Sequence, residues 1–350
     1  MNEGGNGRAA EALTVADFAR IFRLVQQEIH KAIVGHDQAI EELLSAFFAG
    51  GHALIEGVPG TGKTTLVKSL GQALNLSFNR IQFTVDLMPA DITGTRIILS
   101  GSDGVREFSF QPGPIFCHIL LGDEINRATP KTQSALLEAM AEQQVTVSGI
   151  TYPLAPPYFV MATLNPIEME GTYPLPEAQL DRFLFKVRLG YPGEEEMVRI
   201  IGATTGSQES RVEPVFAPTE AAEAIERLKR LVREVMVAPI MEHYAARMAR
   251  TTQPPNSRVL GDLHSSIQID AVSRYVSFGS SPRGAQALIL GAKVRALLDG
   301  RANIAFEDID GVAPAALEHR LMLNYAAHTD DIDASMIVAE VVKAVQTARR

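Results

Sequence analysis

The sequence predicts an α/β protein in two parts: a parallel sheet between helices, followed by an all-helical domain. Three observations carry that expectation. Short apolar runs alternate with helical stretches up to about residue 191, the pattern of parallel strands joined by helical crossovers. Beyond Tyr191-Pro192-Gly193 helical periodicity takes over, as in residues 220–237, 239–250, 282–298 and 334–349. A glycine-rich loop separates an early apolar strand from the helix after it. A chain of 350 residues is long enough for two domains. The division we draw is a flexible tail at 1–12, a sheet-bearing core at 13–192 and a helical domain at 193–350.

The tail is rich in Gly and Asn and offers nothing to bury. A first helix opens at Thr14, with Asp17 three residues on as a variant capping box. Phe18, Ile21, Phe22, Val25 and Ile29 form its apolar face, and the run ends at Val34-Gly35. A second helix carries Ile40, Leu43, Leu44, Phe47 and Phe48 and stops at Gly50-Gly51. A strand at 52–56, a helix through Leu74 and a strand at 80–83 follow. Runs at 96–99 and 105–110, joined by Ser100-Gly101-Ser102-Asp103-Gly104, predict a hairpin. Next come a strand at 118–121 and a helix at 131–143, then a second hairpin from 145–147 and 151–154 around Ser148-Gly149. Strands at 158–163 and 183–189 complete the core.

Composition narrows the function. Hydrophobic residues make up 46% and charged residues 21%, which excludes disorder throughout. The formal net charge is −9, from 41 acidic against 32 basic residues, which argues against a protein whose main work is coating nucleic acid. Cys117 stands alone and forms no internal disulfide, and no metal-ligand spacing of His or Cys occurs. No apolar run approaches the ~20 residues of a membrane span, and the N-terminus reads as polar rather than as a leader. The expectation is a cytoplasmic protein.

Gly57-Val58-Pro59-Gly60-Thr61-Gly62-Lys63-Thr64 satisfies G-x-x-x-x-G-K-[ST] between a strand and a helix. Such glycines let backbone N–H groups converge on phosphate oxygens at a helix N-terminus. The candidate nucleotide-binding residues are Gly57, Pro59, Gly60, Thr61, Gly62, Lys63, Thr64 and Thr65. Lys63 can reach the β- and γ-phosphates, and the Thr64 hydroxyl can ligate Mg²⁺. The run Ile119-Leu120-Leu121-Gly122-Asp123-Glu124 ends a strand on two acids. Asp123 would join the Mg²⁺ shell and Glu124 would orient or deprotonate the attacking water. Asn165, after the apolar run 159–164 and before Pro166, could orient that water or sense the γ-phosphate.

These residues resemble the AAA+ ATPases, and within them the MoxR family. The blocks that carry the resemblance are 54–60 (LIEGVPG), 81–94 (IQFTVDLMPADITG), 123–128 (DEINRA), 131–140 (KTQSALLEAM) and 171–183 (GTYPLPEAQLDRF). They are spread through residues 34–192, and Ser281-Pro282-Arg283 extends the match into the helical domain, which then corresponds to a lid. The resemblance implies an AAA+ P-loop core with ATP and Mg²⁺ as cofactors, Asn165 as sensor 1, Arg182 as arginine finger and Arg283 as sensor 2. An ion pair with Glu177 is the bland alternative for Arg182. The hairpins resemble inserted loops that face a ring's pore. Family membership further implies a hexameric ring, chaperone-like remodelling of a protein client, and a von Willebrand factor A domain partner. A nucleic-acid motor, a metal-chelatase ATPase subunit and a nucleotide-gated scaffold are the alternatives; the hairpins' only bases, Arg96 and Arg106, make a thin track for phosphates. Two positions depart from the family pattern: Gly122 replaces a usual alanine, and Leu164 a frequent glutamine.

Overall fold

The central strands are buried on both faces, and alternate positions along them feed two different apolar layers. A computed structural model describes residues 13–100, 106–164, 171–206, 211–255 and 267–349. The tail at 1–12 and the turn of the first hairpin at 101–105 lie outside the described residues. The chain opens with α1 (Val15–His30), where the Thr14 hydroxyl accepts from Asp17 N–H and the Asp17 carboxylate accepts from Thr14 N–H. Next come α2 (Asp37–Phe48), β1 (Ala53–Gly57), α3 (Lys63–Leu74), β2 (Phe78–Gln82) and the single turn α4 (Pro89–Thr93). β3 (Gly94–Ser100) pairs antiparallel with β4 (Arg106–Pro112), the first expected hairpin. β5 (Ile119–Asp123) and α5 (Pro130–Glu142) follow, then β6 (Gln144–Val147) and β7 (Ile150–Pro153), the second hairpin. β8 (Phe159–Leu164), α6 (Glu177–Leu180) and β9 (Phe185–Leu189) finish the sheet region.

The five-stranded sheet runs β2-β5-β8-β1-β9 with every neighbouring pair parallel. Ala53, Ile55, Ile119, Leu121, Phe159 and Met161 face one layer, with Phe47, Phe48 and Leu70. Leu54, Leu120, Val160 and Ala162 face the other, with Phe83, Leu136 and Phe183. β2 begins two residues before the expected position, because it is an edge strand and its polar first half makes no apolar run.

The second half is α7 (Glu194–Thr205), α8 (Ala221–Glu234), α9 (Pro239–Thr251), α10 (Asp270–Tyr275), β10 (Val276–Phe278), α11 (Pro282–Leu298), α12 (Phe306–Leu317), β11 (Met322–Leu323), α13 (Tyr325–Thr329) and α14 (Ala334–Thr347). It is helical as the periodicity implies, with one correction to an all-helical domain: β10 and β11 form an antiparallel ribbon. Strands of three and two residues are too short to show a period of two. Its helices share the first apolar layer with the sheet, through Leu288, Leu297, Ile309 and Val338. Gly291 allows α11 to lie on β9, since a Cβ there would sit 2.5 Å from Phe185 Cζ. Among the described residues no helix is long and apolar enough to cross a membrane.

Candidate nucleotide site

β1 ends at Gly57 and α3 begins at Lys63, so the glycine-rich loop joins a strand's carboxyl end to a helix N-terminus. Gly60 (φ +84°) and Gly62 (φ +81°) take left-handed conformations that side chains strain. The first ladder bond of α3 runs from Leu66 N–H to the Gly62 carbonyl, which leaves earlier N–H groups without helical acceptors. Those donors and the helix dipole suit phosphate oxygens. Lys63 Nζ donates to the Gly57 carbonyl at 2.6 Å, curling back over the loop. Burial pushes its pKa below the ordinary lysine value, while the charges of Asp123 and Glu124 pull it back up. The Thr61 hydroxyl donates to the Val58 carbonyl at 2.9 Å, and Thr64 and Thr65 stand exposed on the first turn.

β5 delivers Asp123 at its last position, and Glu124 follows at φ +56°, so the chain turns between the two acids. Thr163 on the adjacent β8 stitches them together. Its hydroxyl donates to Asp123 Oδ1 at 2.6 Å and accepts from Glu124 N–H at 2.8 Å. From β2, Arg80 donates to Asp123 Oδ2 through Nη2 (2.6 Å) and Nε (3.2 Å). Gln82 Nε2 donates to Glu124 Oε2 at 2.8 Å, and Arg127 Nε lies 3.0 Å from the same oxygen. Arg80, Gln82, Thr163 and Arg127 were not anticipated from the sequence. The available signal was Arg80 and Gln82 flanking buried Ile81, a two-residue spacing that points both to one side.

The donor set fits a Mg-nucleotide. Thr64 and Asp123 offer hard oxygens, and among the described residues no group of three or more His, Cys, Asp or Glu could hold a metal. A Mg²⁺ here would draw most of its shell from phosphate oxygens and water, which is its usual habit. Asn165 lies outside the described residues.

Arg182 and Arg283 sit at the other end of the sheet. They line a cleft of about 290 Å³ with Gly50, Gly51, His52 and Arg320, before β1 begins. Arg182 Nη1 donates to the Leu137 carbonyl at 2.6 Å, and its side chain makes no ion pair with Glu177 among the described residues. Arg283 opens α11, its N–H donating to the Ser281 hydroxyl and its Nη1 lying 3.8 Å from Asp181 Oδ2. Arg283 is half exposed, and Arg182 is exposed as well. The structure therefore gathers the loop and two acids at one edge, and two arginines at the opposite one.

Comparison with known proteins matches residues 52–185 to a family described as ATPase family associated with various cellular activities (AAA), and residues 269–341 to an AAA lid domain. The chain is 40% identical over 342 residues to Chaperone MoxR1 of Mycobacterium tuberculosis, covering 98% of this chain and 84% of that protein. The chain belongs to the MoxR family of AAA+ ATPases. It is also 32% identical over 328 residues to Protein MoxR of Methylorubrum extorquens, and 42% identical over 320 residues to YeaC of Bacillus subtilis. The first alignment covers 91% of this chain and 92% of the relative, and so does the second. A Cytophaga hutchinsonii crystal structure, described as that of a candidate ATPase, superposes with a TM-score of 0.81 at 35% identity. It covers 94% of this chain and 96% of that one.

One departure from the MoxR pattern has a packing reason. A Cβ at Gly122 would lie 3.2 Å from both Leu136 Cδ2 and Phe83 Cε2, so alanine would require those side chains to yield by a few tenths of an ångström. Cys117 is not a thiolate nucleophile in this MoxR-family fold. Burial pushes its pKa up to about 12, and Sγ donates to the Ile119 carbonyl at 3.2 Å.

Proposed function

We propose that the chain binds Mg-ATP at residues 57–65 and hydrolyses it in a head-to-tail ring, a hexamer on the family resemblance. Arg182 and Arg283 of one subunit reach the nucleotide held by the next. The loop N–H groups and Lys63 hold the phosphates. Thr64 and Asp123 hold Mg²⁺, which neutralises charge on the β- and γ-oxygens. Glu124, steadied by Gln82 and Arg127, orients and deprotonates the attacking water. Asn165 senses the γ-phosphate. Arg182 and Arg283 meet transition-state charge with planar, permanently charged forks.

One observation carries the ring reading: both arginines lie beyond the amino end of β1, whereas Lys63 lies beyond its carboxyl end. Five strand residues separate them by about 16 Å at 3.3 Å per residue, too far for an arginine to serve its own loop. Head-to-tail contacts whose rotation closes bring one edge against the other. The test mixes Arg182→Ala subunits with Glu124→Gln subunits. Each is inactive alone, and phosphate release returns in rings verified to contain both. No recovery in verified mixed rings overturns the reading.

The remodelling role is supported by the relative named Chaperone MoxR1. It is also supported by the first hairpin, where Ile98 and Phe108 are cross-strand partners, 55% and 65% exposed. Arg96 lies over the Phe108 ring at 4.8 Å, and Phe110 stacks on Tyr152 of the second hairpin at 3.9 Å. Exposed apolar side chains on a coupled pair of hairpins suit a protein client better than a phosphate backbone. A von Willebrand factor A domain protein is the partner we infer from the resemblance. A pull-down with ATP-loaded Glu124→Gln as bait tests both, with loss of capture expected for Phe108→Ala.

A further inference from the structure

The arginine edge contains a third arginine that the phosphate chemistry does not use. Arg320 ends the 3-10 turn Glu318–Arg320 after α12 and is 8% exposed. Although Arg320 lines the same cleft, its guanidinium bonds to groups of its own chain. Nε donates to Asp181 Oδ1 at 2.8 Å, and Nη2 to the carbonyls of Phe183 (2.7 Å) and Asp181 (3.3 Å). Nη1 donates to the Leu184 carbonyl at 3.1 Å and, at home, to the Ala316 carbonyl. His319, the preceding residue, adds a contact from Nε2 to the Phe183 carbonyl at 3.0 Å. One planar fork thus grips the backbone on both sides of Arg182, from 136 to 139 residues away in sequence.

Asp181 extends the grip to the second arginine. Its Oδ2 accepts from the Ser281 hydroxyl at 2.7 Å, and Ser281 caps the helix that opens with Pro282 and Arg283. Arg182 itself is exposed, and among the described residues its side chain makes one hydrogen bond, to the Leu137 carbonyl. Its direction depends on where its backbone is held. A lysine could supply the charge at position 320 but not a rigid fork of five donors. Burying a guanidinium is unfavourable unless its donors are met, and here four of its bonds go to the segment 181–184.

We propose that Arg320 is a positioning residue: it locks the segment that carries Arg182, and through Asp181 and Ser281 the start of α11, so that both arginines are presented to the neighbouring subunit's nucleotide. The inference rests on the ring reading above. The lid thereby sets the geometry of a site in another subunit, while its own subunit's loop is left intact.

The experiment uses full-length Arg320→Gln. ATP affinity by calorimetry is expected to stay within about twofold, and phosphate release to fall on the order of tenfold or more, since small misplacements of catalytic groups are expensive. Mixing Arg320→Gln with Glu124→Gln subunits is expected to restore turnover. The first keeps an intact loop, Asp123 and Glu124, and the second supplies undisturbed arginines. A merely structural role would not give that recovery. Arg320→Lys, which keeps charge and loses the fork, should fall between the parent and Arg320→Gln, and carries the same comparison if Arg320→Gln does not melt cooperatively. If Arg182→Ala mixtures recover and Arg320 mixtures do not, the positioning role is overturned and the ring reading stands. If neither recovers in verified mixed rings, the ring reading falls and this inference falls with it. Loss of ATP affinity in a folded Arg320 variant also overturns it.

Discussion

The two edges of the sheet are built in opposite ways. At the carboxyl edge every candidate phosphate-binding group comes from one contiguous loop, and two adjacent acids follow from one strand end. Its charged groups are satisfied internally, Lys63 by the Gly57 carbonyl and Asp123 by Arg80 and Thr163. At the amino edge the groups come from distant segments, and the two outward arginines are left exposed while Arg320 is buried beneath them. One edge is a self-contained receptor, and the other is a presented surface. That difference fits the proposed ring, in which each subunit would be complete for binding and incomplete for turnover.

Lys63→Ala should break the receptor edge most severely. Nucleotide binding is expected to vanish in calorimetry while the melting profile stays cooperative, because the Lys63 ammonium bonds to a loop carbonyl. Normal affinity would sink the loop assignment. Glu124→Gln should separate binding from chemistry at the same edge. ATP affinity is retained, assembled rings accumulate, and phosphate release falls by about 10²–10⁴-fold, the usual span for a general base. Phosphate release at the parent's rate would remove Glu124 from that role.

The same contrast explains what the sequence revealed. The strand–loop–helix setting of Gly57, Gly60, Gly62, Lys63 and Thr64 is legible because the motif is encoded in spacing within eight residues. The Thr14–Asp17 cap is legible for the same reason. Asp123 and Glu124 need only a strand ending. Arg320 was invisible, since nothing local distinguishes an arginine that grips residues 139 positions away from one on a solvated turn. Gly122 marks a departure from the family, yet its cause, the approach of Leu136 and Phe83, exists only after folding. Arg80 and Gln82 fall between these cases. Their alternation about Ile81 is readable, but the acids they meet lie on another strand.

Arg80 offers a finer test of how closed the receptor edge is. It holds the Asp123 oxygen that Mg²⁺ would approach, and Arg80 is 44% exposed, so the bond is strong enough to compete and weak enough to yield. Arg80→Ala is expected to lower the Mg²⁺ concentration that half-saturates binding of a fluorescent ATP analogue by about 3–10-fold, an effect of about 1 kcal/mol. A higher Mg²⁺ requirement would mean that Arg80 orients Asp123 for the ion instead of competing with it.

The smallest effect is a pH dependence that the two sides of the molecule share with opposite sign. On the arginine edge His52 is buried and neutral: Nδ1 accepts from Val160 N–H at 3.0 Å, which leaves Nε2–H for the Met140 carbonyl at 3.1 Å. Burial pushes its pKa from 6.5 down to about 4. The unfolded chain therefore binds the proton more readily, so this contribution is full above about 6.5 and lost as pH falls toward 4. Glu42 on α2 shows the reverse. Burial, with the nearby charges of Glu318 and Glu41, pushes it from 4.5 up to about 7 against the hydrogen bond from Gln38. The folded state holds that proton more tightly, so its contribution is full below about 4.5 and lost as pH rises through 7. The windows overlap, and each masks the other in the intact chain. Glu42→Gln unmasks them: its Tm relative to the parent should climb between pH 4.5 and 7.5, by about 1–2 °C for each kcal/mol removed. A difference that stays flat across that range would mean that Glu42 ionises in the fold as freely as in water.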